Sequence, residues 1–211
     1  MLQPFAPAGY SRRLLPFQEI RMSRLFLAPF ALLSIASLTF ADEPAKPAAK
    51  KVDVGSQAPA FVIKDASGKV IDLAELTAKG PVLVRLTCGC SGCDKELAYF
   101  QALHEAYKGA GLVSLAVFKE PDEKVAAYVK EKKLNMLYAV DTKGESWNVF
   151  DTKAMPTNFL IEKGGKIAAI AAGCDPSGLV AKKLSEKVAK TVKTETVDVQ
   201  KRVDDGKKEK K

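Results

Sequence analysis

The chain has 211 residues, of which 47% are hydrophobic and 27% are charged, a composition typical of a soluble globular protein with one folded domain. Its net charge of +8 is confined to the two ends, because residues 1–41 carry +3, residues 182–211 carry +5, and residues 42–181 are neutral. A nucleic-acid-binding domain would carry a basic patch on its folded part. The charge distribution therefore argues against nucleic acid as a partner, and we expect none.

The amino-terminal residues have the pattern of a secretory signal peptide. An uncharged, mostly apolar run, Leu25–Phe40, follows two arginines and ends in small residues at Ala41. We predict a signal peptide over 1–41 that is cleaved after Ala41, with translation beginning at Met22, which gives a signal of ordinary length. The alternative is an uncleaved membrane anchor, although a membrane span needs about 20 apolar residues. We therefore expect the protein in the periplasm or outside the cell, with membrane contact only if the segment is uncleaved.

The next residues, 42–51, form a linker rich in Pro, Ala and Lys, and after them strand and helix patterns alternate over 52–189. Two short runs around a turn predict an N-terminal β-hairpin, Ala60–Lys64 and Lys69–Leu73. The strands predicted after it are Pro81–Thr87, Leu112–Phe118, Met136–Val140, Thr157–Glu162 and Lys166–Ala171. The predicted helices are Asp94–Lys108, Pro121–Lys133, a short one around Trp147–Phe150 and a last one that starts at Asp175.

This order of elements predicts a single α/β domain over 52–189. Alternating strands and helices imply parallel strands with helices on both faces of a sheet. The tight turn Lys163-Gly164-Gly165 joins the last two strands as an antiparallel hairpin, so the central sheet is expected to be mixed. Residues 190–211 show no sustained apolar periodicity and are predicted to be a disordered charged tail.

Three of the four cysteines, Cys88, Cys90 and Cys93, lie within six residues, whereas a disulfide scaffold would spread its cysteines along the chain. Cys90 follows the carboxyl end of a buried strand, and Cys93 falls in the first turn of the next helix. The positive end of a helix dipole stabilises a thiolate there. We therefore predict that Cys90 is the exposed nucleophile of a redox pair and that Cys93 is the resolving thiol.

A second element, Met155-Pro156-Thr157, precedes a strand about 65 residues further on. A proline is tolerated at the start of a strand, and a cis peptide bond at Met155–Pro156 would expose the Met155 backbone to an extended substrate chain. This element gains its weight from its occurrence together with the Cys90–Cys93 pair in this strand order.

These segments resemble one known family. VGSQAPAF at 54–61, VLVRLTCGCSGC at 82–93 and MPTNFLIEKGGKI at 155–167 are similar to secreted thioredoxin-like thiol–disulfide oxidoreductases of the TlpA/ResA kind, within the redoxin (AhpC-TSA) superfamily. The resemblance implies a thioredoxin fold, Cys90 and Cys93 as the redox pair, and Pro156 as the cis-proline. It also implies protein thiols and disulfides as partners, with an unidentified electron donor or acceptor.

The resemblance extends to the substrate surface and has two departures. The Gly173–Cys174 turn is expected on the same face as the cis-proline loop, so Met155, Pro156 and Gly173 form the expected substrate-binding residues. The aromatic residue usual before the first cysteine is Gly89 here, and a common polar or acidic residue six positions before that cysteine is Val84. Arg85 lies in an otherwise apolar strand, and the sequence alone offers no reason for it.

A peroxiredoxin-like thiol peroxidase that uses Cys90 is the first alternative. Thr87 lies three residues before Cys90, as in the peroxiredoxin motif, and peroxidase activity would make the protein an antioxidant. Two residues argue against it, since the family's proline falls on Leu83 and its catalytic arginine falls on Pro156. Without that arginine, peroxide lacks its main electrostatic partner.

The remaining thiols suggest two further hypotheses. Cys88 and Cys174 are candidate auxiliary thiols, either as a Cys88–Cys174 bridge or as a relay in which either one resolves Cys90. The second alternative function is a Cu(I)-binding assembly factor, because soft thiolate ligands favour Cu(I). The only histidine, His104, is expected half-exposed on a helix, and no zinc pattern exists, so we expect no metal and no cofactor beyond the redox disulfide.

Overall fold

The computed structural model of the protein describes residues 51–209. The predicted signal peptide and nearly all of the predicted linker lie outside these residues. The strands are β1 (Val62–Lys64), β2 (Val70–Asp72), β3 (Val82–Thr87), β4 (Val113–Phe118), β5 (Leu137–Val140), β6 (Thr157–Ile161) and β7 (Ile167–Ala172). The helices are α1 (Leu73–Lys79), α2 (Ser91–Tyr107), α3 (Asp122–Lys132), α4 (Glu145–Val149), α5 (Leu179–Val192) and α6 (Val199–Lys208), and a 3-10 turn (Lys108–Ala110) follows α2. No helix among these residues has the length and apolar character needed to span a membrane.

The central sheet has five strands in the order β5-β4-β3-β6-β7. Strands β3, β4 and β5 run parallel, as the intervening helices require, whereas β6 and β7 are antiparallel to their neighbours. Strand β3 is central. Near its carboxyl end it pairs with the start of β6, where Leu86 lies opposite Thr157. This register places the residues that follow β3 beside Pro156, at the start of β6.

Two hydrophobic cores cover the two faces of the sheet, as expected when helices lie on both sides. Side chains of β3 alternate between them: Val82, Val84 and Leu86 face one core, and Leu83 faces the other. The first core includes the hairpin, α1 and α4, and the second includes α2, α5 and α6. Arg85 shares the face of Leu83 and is only 3% exposed, so it points toward α2.

The thioredoxin-type α/β fold with an N-terminal hairpin agrees with the sequence prediction, but helices α1, α2, α5 and α6 differ from it, and α5 begins at Leu179 instead of Asp175. Strands β1 and β2 form a separate antiparallel pair. Helix α1 was not predicted; Asp72 caps it by accepting a hydrogen bond from the Ala74 N–H at 2.8 Å. Helix α2 begins three residues before the predicted Asp94, and Cys90 is its N-cap.

The prediction of a disordered charged tail over 190–211 is wrong for the described residues 190–209. Helix α5 continues to Val192, and α6 packs against α2 and α5. Val199 of α6 is fully buried, and the Val197 N–H donates a hydrogen bond to the Tyr107 hydroxyl at 2.9 Å. The buried Val199 side chain and the hydrogen bond to the Tyr107 hydroxyl thus order a segment whose residues are mostly charged.

Candidate active site

The Cys90–Cys93 pair lies where the sequence predicted it, at the amino end of α2. Cys90 is exposed, whereas Cys93, one turn further along, is only 3% exposed. The Asp94 N–H donates to the Cys90 carbonyl at 2.9 Å, which closes the first turn of the helix. The accessible sulfur is thus the outer one, and the inner sulfur is shielded from solvent.

The Cys88 sulfur lies close to both sulfurs of the pair. Its thiol donates a hydrogen bond to Cys90 Sγ at 2.7 Å, and its sulfur is 3.3 Å from Cys93 Sγ. This hydrogen bond lowers the pKa of Cys90, and the backbone N–H groups of Cys93 and Gly92 act in the same direction. Burial raises the pKa of Cys88, so Cys90 loses its proton more readily than its neighbour Cys88.

Cys174 approaches the site from the loop after β7. Its sulfur lies 3.2 Å from the position that a Cβ on Gly92 would occupy, so it contacts the spacer of the Cys90–Cys93 pair. All four cysteines are free thiols in this structure. The structure therefore brings Cys88 to the Cys90–Cys93 pair and Cys174 to the spacer, and a Cys88–Cys174 disulfide stays a prediction.

The expected substrate-binding residues also converge near the site. The Met155–Pro156 peptide bond is cis. The Gly173 N–H donates a hydrogen bond to the Pro156 carbonyl at 2.8 Å, so the loop carrying Cys174 is tied to the start of β6. Pro156 is buried, while Met155 and Gly173 are partly exposed.

A buried ion pair that sequence reasoning missed supports these segments. Arg85 of β3 donates to Glu96 of α2 at 2.7 Å and to Asn158 of β6 at 2.9 Å, and its guanidinium lies 4.0 Å from the centre of the Phe100 ring. Glu96 also accepts a hydrogen bond from the Asp175 N–H, next to Cys174. The network therefore joins four segments around the cysteines: β3, α2, β6 and the Cys174 loop.

The sequence did contain a signal for this pair. Glu96 lies on the helical face that also carries Cys93, Phe100 and Leu103, all of which are buried. A carboxylate on an apolar helix face and a guanidinium inside an apolar strand each need a partner, because burying an unpaired charge is costly. Their simultaneous presence predicts that Arg85 and Glu96 meet.

The other side of the site is a small cleft beside Gly89. The Gly89 N–H donates to Glu120 Oε1 at 2.7 Å, and the Tyr128 ring lies 3.5 Å from the position of a Cβ on Gly89. The cleft has a volume of about 230 Å³, and the other oxygen of Glu120 is buried there without a hydrogen-bond partner. Gly89 stands where the resembling family usually has an aromatic residue, and the ring of Tyr128 in α3 packs against it.

His104 lies away from the cysteines and fits the expected half-exposed position. Its Nδ1 is 3.1 Å from the Ser114 hydroxyl, and burial lowers the pKa of its imidazole. Among the residues that the structure describes, only Cys88, Cys90 and Cys93 form a compact group of three or more metal-ligating side chains.

Comparison with known proteins gives this site a context. The AhpC/TSA family model matches residues 54–170. The chain is 35% identical over 119 residues to the thiol-disulfide oxidoreductase ResA of Bacillus thuringiensis subsp. konkukian, covering 56% of this chain and 69% of that protein. The corresponding protein of Bacillus subtilis is 32% identical over 126 residues, covering 59% of this chain and 70% of that protein.

A solved structure shows the same fold. The solution structure of a thiol:disulfide interchange protein from Bacteroides sp. superimposes with a TM-score of 0.53 at 25% identity, covering 63% of this chain and 90% of the other. The family match covers more than half of the chain and includes Cys88, Cys90 and Cys93. The chain therefore belongs to the AhpC/TSA family and, within it, to the ResA-like thiol–disulfide oxidoreductases.

Proposed function

We propose that the protein exchanges disulfides with protein partners outside the cytoplasm, with Cys90 as the nucleophile and Cys93 as the resolving thiol. The observation that carries this proposal is the difference between the two cysteines: Cys90 is exposed at the N-cap of α2 with a lowered pKa, and Cys93 is buried one turn below it. A thiolate that a substrate can reach, backed by a shielded second sulfur, is the arrangement that exchange requires.

The exchange proceeds in two displacements. The Cys90 thiolate attacks one sulfur of a substrate disulfide, forms a mixed disulfide and releases the other substrate sulfur as a thiolate, which takes up a proton. Cys93 then loses its proton and attacks Cys90 Sγ, which breaks the mixed disulfide and releases the second substrate sulfur as a thiolate that takes up a proton. The protein ends as the Cys90–Cys93 disulfide, having given two electrons to the substrate, and a dithiol donor restores it. The reverse sequence oxidises a substrate dithiol.

Met155, Pro156 and Gly173 form the surface that receives the substrate chain in this proposal. Support comes from their position: the β3–β6 register places Pro156 beside the end of the strand that leads into the cysteines, and Gly173 is hydrogen-bonded to Pro156. Partly exposed backbone at Met155 and Gly173 can pair with an extended peptide, as in strand addition to a sheet edge.

Trapping distinguishes the roles of the two cysteines. With insulin as the disulfide substrate and dithiothreitol as the donor, we expect the wild-type chain to accelerate reduction and Cys90→Ser to abolish the acceleration. Cys93→Ser should accumulate a mixed disulfide between Cys90 and insulin, detected by non-reducing electrophoresis and mass spectrometry. A mixed disulfide on Cys93 in the Cys90→Ser chain, at a similar yield, would reverse the assigned roles.

Location outside the cytoplasm is part of the proposal and rests on the signal-peptide pattern and on the likeness to ResA. Expression of the whole chain in a Gram-negative host, followed by fractionation, tests it. The expected result is a periplasmic protein whose first residue is Asp42. A full-length protein retained in the cytoplasmic fraction would contradict it.

The arrangement of charges argues against a peroxidase. Among the residues that the structure describes, the arginines are Arg85 and Arg202, and Arg85 is bound to Glu96 and Asn158. Among these residues, neither arginine forms a hydrogen bond with Cys90, so neither guanidinium is placed to bind a peroxide there. Slow oxidation of Cys90 by micromolar hydrogen peroxide is expected, and loss of the thiol within seconds would favour the peroxidase instead.

A further inference from the structure

The sulfurs of Cys88, Cys90 and Cys93 form a compact cluster that disulfide exchange does not fully use. Cys88 Sγ is 2.7 Å from Cys90 Sγ and 3.3 Å from Cys93 Sγ, and all three sulfurs lie within 4.8 Å of one another. Exchange between Cys90 and Cys93 needs two sulfurs. The third sulfur, that of Cys88, therefore gives the site three potential metal ligands, whereas a simple pair has two.

Three sulfurs at these separations fit one soft metal ion. With metal–sulfur bonds of about 2.3 Å, a trigonal site needs sulfur–sulfur distances of about 4 Å. Small side-chain rotations bring the cluster to that geometry, because each sulfur already neighbours the other two. Thiolate ligands select soft ions such as Cu(I) over hard ions such as Mg²⁺ or Ca²⁺.

Three sulfurs complete the coordination of Cu(I), whereas zinc held by three protein ligands takes a water as its fourth ligand. Structural zinc sites are closed by four protein ligands in a tetrahedron. Among residues 51–209, the cluster contains three metal-ligating side chains, and neither Cys174 nor His104 is a member. His104 is occupied with Ser114, and Cys174 faces Gly92. A three-coordinate ion is thus the best match.

Access and charge also suit such an ion. Cys90 is exposed and Cys88 is half-buried, so an ion can enter from the surface, while the buried Cys93 completes the site from below. Three thiolates around one monovalent cation carry a net charge of −2, and the amino end of the 17-residue helix α2 presents its positive pole to them.

We propose that the reduced protein binds a single Cu(I) ion through the three sulfurs of Cys88, Cys90 and Cys93. The site goes beyond disulfide exchange but shares two sulfurs with it. A Cys90–Cys93 disulfide removes two of the three ligands, so the oxidised protein has no site. Copper binding and disulfide exchange are therefore mutually exclusive states of one cluster.

Anaerobic titration with the Cu(I)–bicinchoninate complex tests this proposal. Reduced wild-type protein should withdraw one equivalent of Cu(I), and X-ray absorption should show three sulfur neighbours at about 2.3 Å. Cys88→Ser should weaken binding by at least about 100-fold, because one of three ligands is lost. Cys174→Ser, a matched substitution outside the cluster, should bind as the wild type does, and protein carrying the Cys90–Cys93 disulfide should bind none.

Several results would overturn the proposal. One is that the reduced protein withdraws no copper, and another is that Cys88→Ser binds Cu(I) as tightly as the wild type. Equal losses of Cu(I) affinity in Cys88→Ser and Cys174→Ser, or Zn(II) bound as tightly as Cu(I), would also contradict it. The insulin assay is run without metal, so loss of the copper site leaves the oxidoreductase assignment intact.

Discussion

At the scale of single residues, the Cys88 thiol lies 2.7 Å from Cys90 Sγ and donates a hydrogen bond to it, which is the largest cause of the lowered Cys90 pKa. Because a lowered pKa keeps the thiolate populated at lower pH, removing the donor should move its formation to higher pH. A hydrogen bond to a charged group is worth about 1.5–3 kcal/mol, equivalent to about one pH unit or more.

The corresponding prediction concerns Cys88→Ala in reduced, metal-free protein. We expect the pH midpoint of Cys90 alkylation by iodoacetamide, followed by peptide mass spectrometry, to rise by about one pH unit. Cys174→Ala serves as the matched control and should leave the midpoint unchanged. A midpoint that stays constant or falls in Cys88→Ala would show that the helix end alone sets the pKa.

Individual site residues differed in how visible they were in the sequence. The positions of Cys90 and Cys93 followed from local rules, because strand, turn and helix signals are contiguous there. The cis bond before Pro156 was suggested by the occurrence of Met155-Pro156-Thr157 together with the cysteine pair, and the family resemblance implied it. Glu96 and Tyr128 were not found, since their parts in the site depend on partners in other elements, Arg85 in β3 and Gly89 in the loop after it.

At the scale of elements, the buried ion pair between Arg85 and Glu96 links β3 to α2 inside the core. Both side chains are at most 4% exposed, and removing one partner of a buried pair typically costs 3–5 kcal/mol because the other charge is left unpaired. The network also holds Asn158 and the Asp175 backbone. Loss of Arg85 should therefore loosen several segments at once.

We predict that Arg85→Met lowers the free energy of unfolding by about 3 kcal/mol, measured by urea denaturation of the reduced protein. Adding Glu96→Gln should restore part of this loss, because glutamine leaves no buried charge and its carbonyl can still accept from the Asp175 N–H. A double variant that is less stable than Arg85→Met would contradict this explanation.

Helix α6 contributes to the second core through few residues. Val199 is fully buried, and the Tyr107 hydroxyl, 2.7 Å from the Ser185 hydroxyl, accepts a hydrogen bond from the Val197 N–H. Composition predicted disorder here because charged residues dominate the segment. Apolar residues such as Val199 stabilise the helix only because α2 and α5 provide a surface on which they are buried.

Val199→Ala should lower the free energy of unfolding by about 2 kcal/mol, from lost burial and the cavity that remains. Lys201→Ala, an exposed change in the same helix, should alter it by less than about 0.5 kcal/mol. Both values come from urea denaturation. Equal, small effects in the two variants would mean that α6 does not dock in solution.

At the scale of the whole molecule, alternating strand and helix patterns were sufficient to predict the mixed sheet and its coverage on both faces. The short helix α1 was missed because only seven residues separate the hairpin from β3 in the pattern. The fold is therefore largely encoded by local periodicity and by the order of elements. The contacts of α6 and of the Arg85–Glu96 pair depend on partners in other elements, so the local pattern does not reveal them.

The contacts within the described residues predict that a chain beginning at Lys51 folds on its own. The first residues are already tied to the sheet, since the Gly55 N–H donates to the Ile167 carbonyl and the Ala58 N–H to the Gly165 carbonyl, each at 2.8 Å. Its urea midpoint should match that of a chain beginning at Asp42, with free energies within about 0.5 kcal/mol. A non-cooperative transition in the shorter chain would refute this.

The contact between Gly92 and Cys174 has a consequence for protein engineering. Any residue other than glycine at position 92 places a Cβ about 3.2 Å from the Cys174 sulfur, on a loop that is also fixed to Glu96 and Pro156. A spacer grafted from another oxidoreductase would therefore force the Cys174 sulfur to move by a few tenths of an ångström or to rotate away from the spacer. A change in the spacer therefore has to be designed together with residue 174, although Gly92 and Cys174 lie 82 positions apart in the chain.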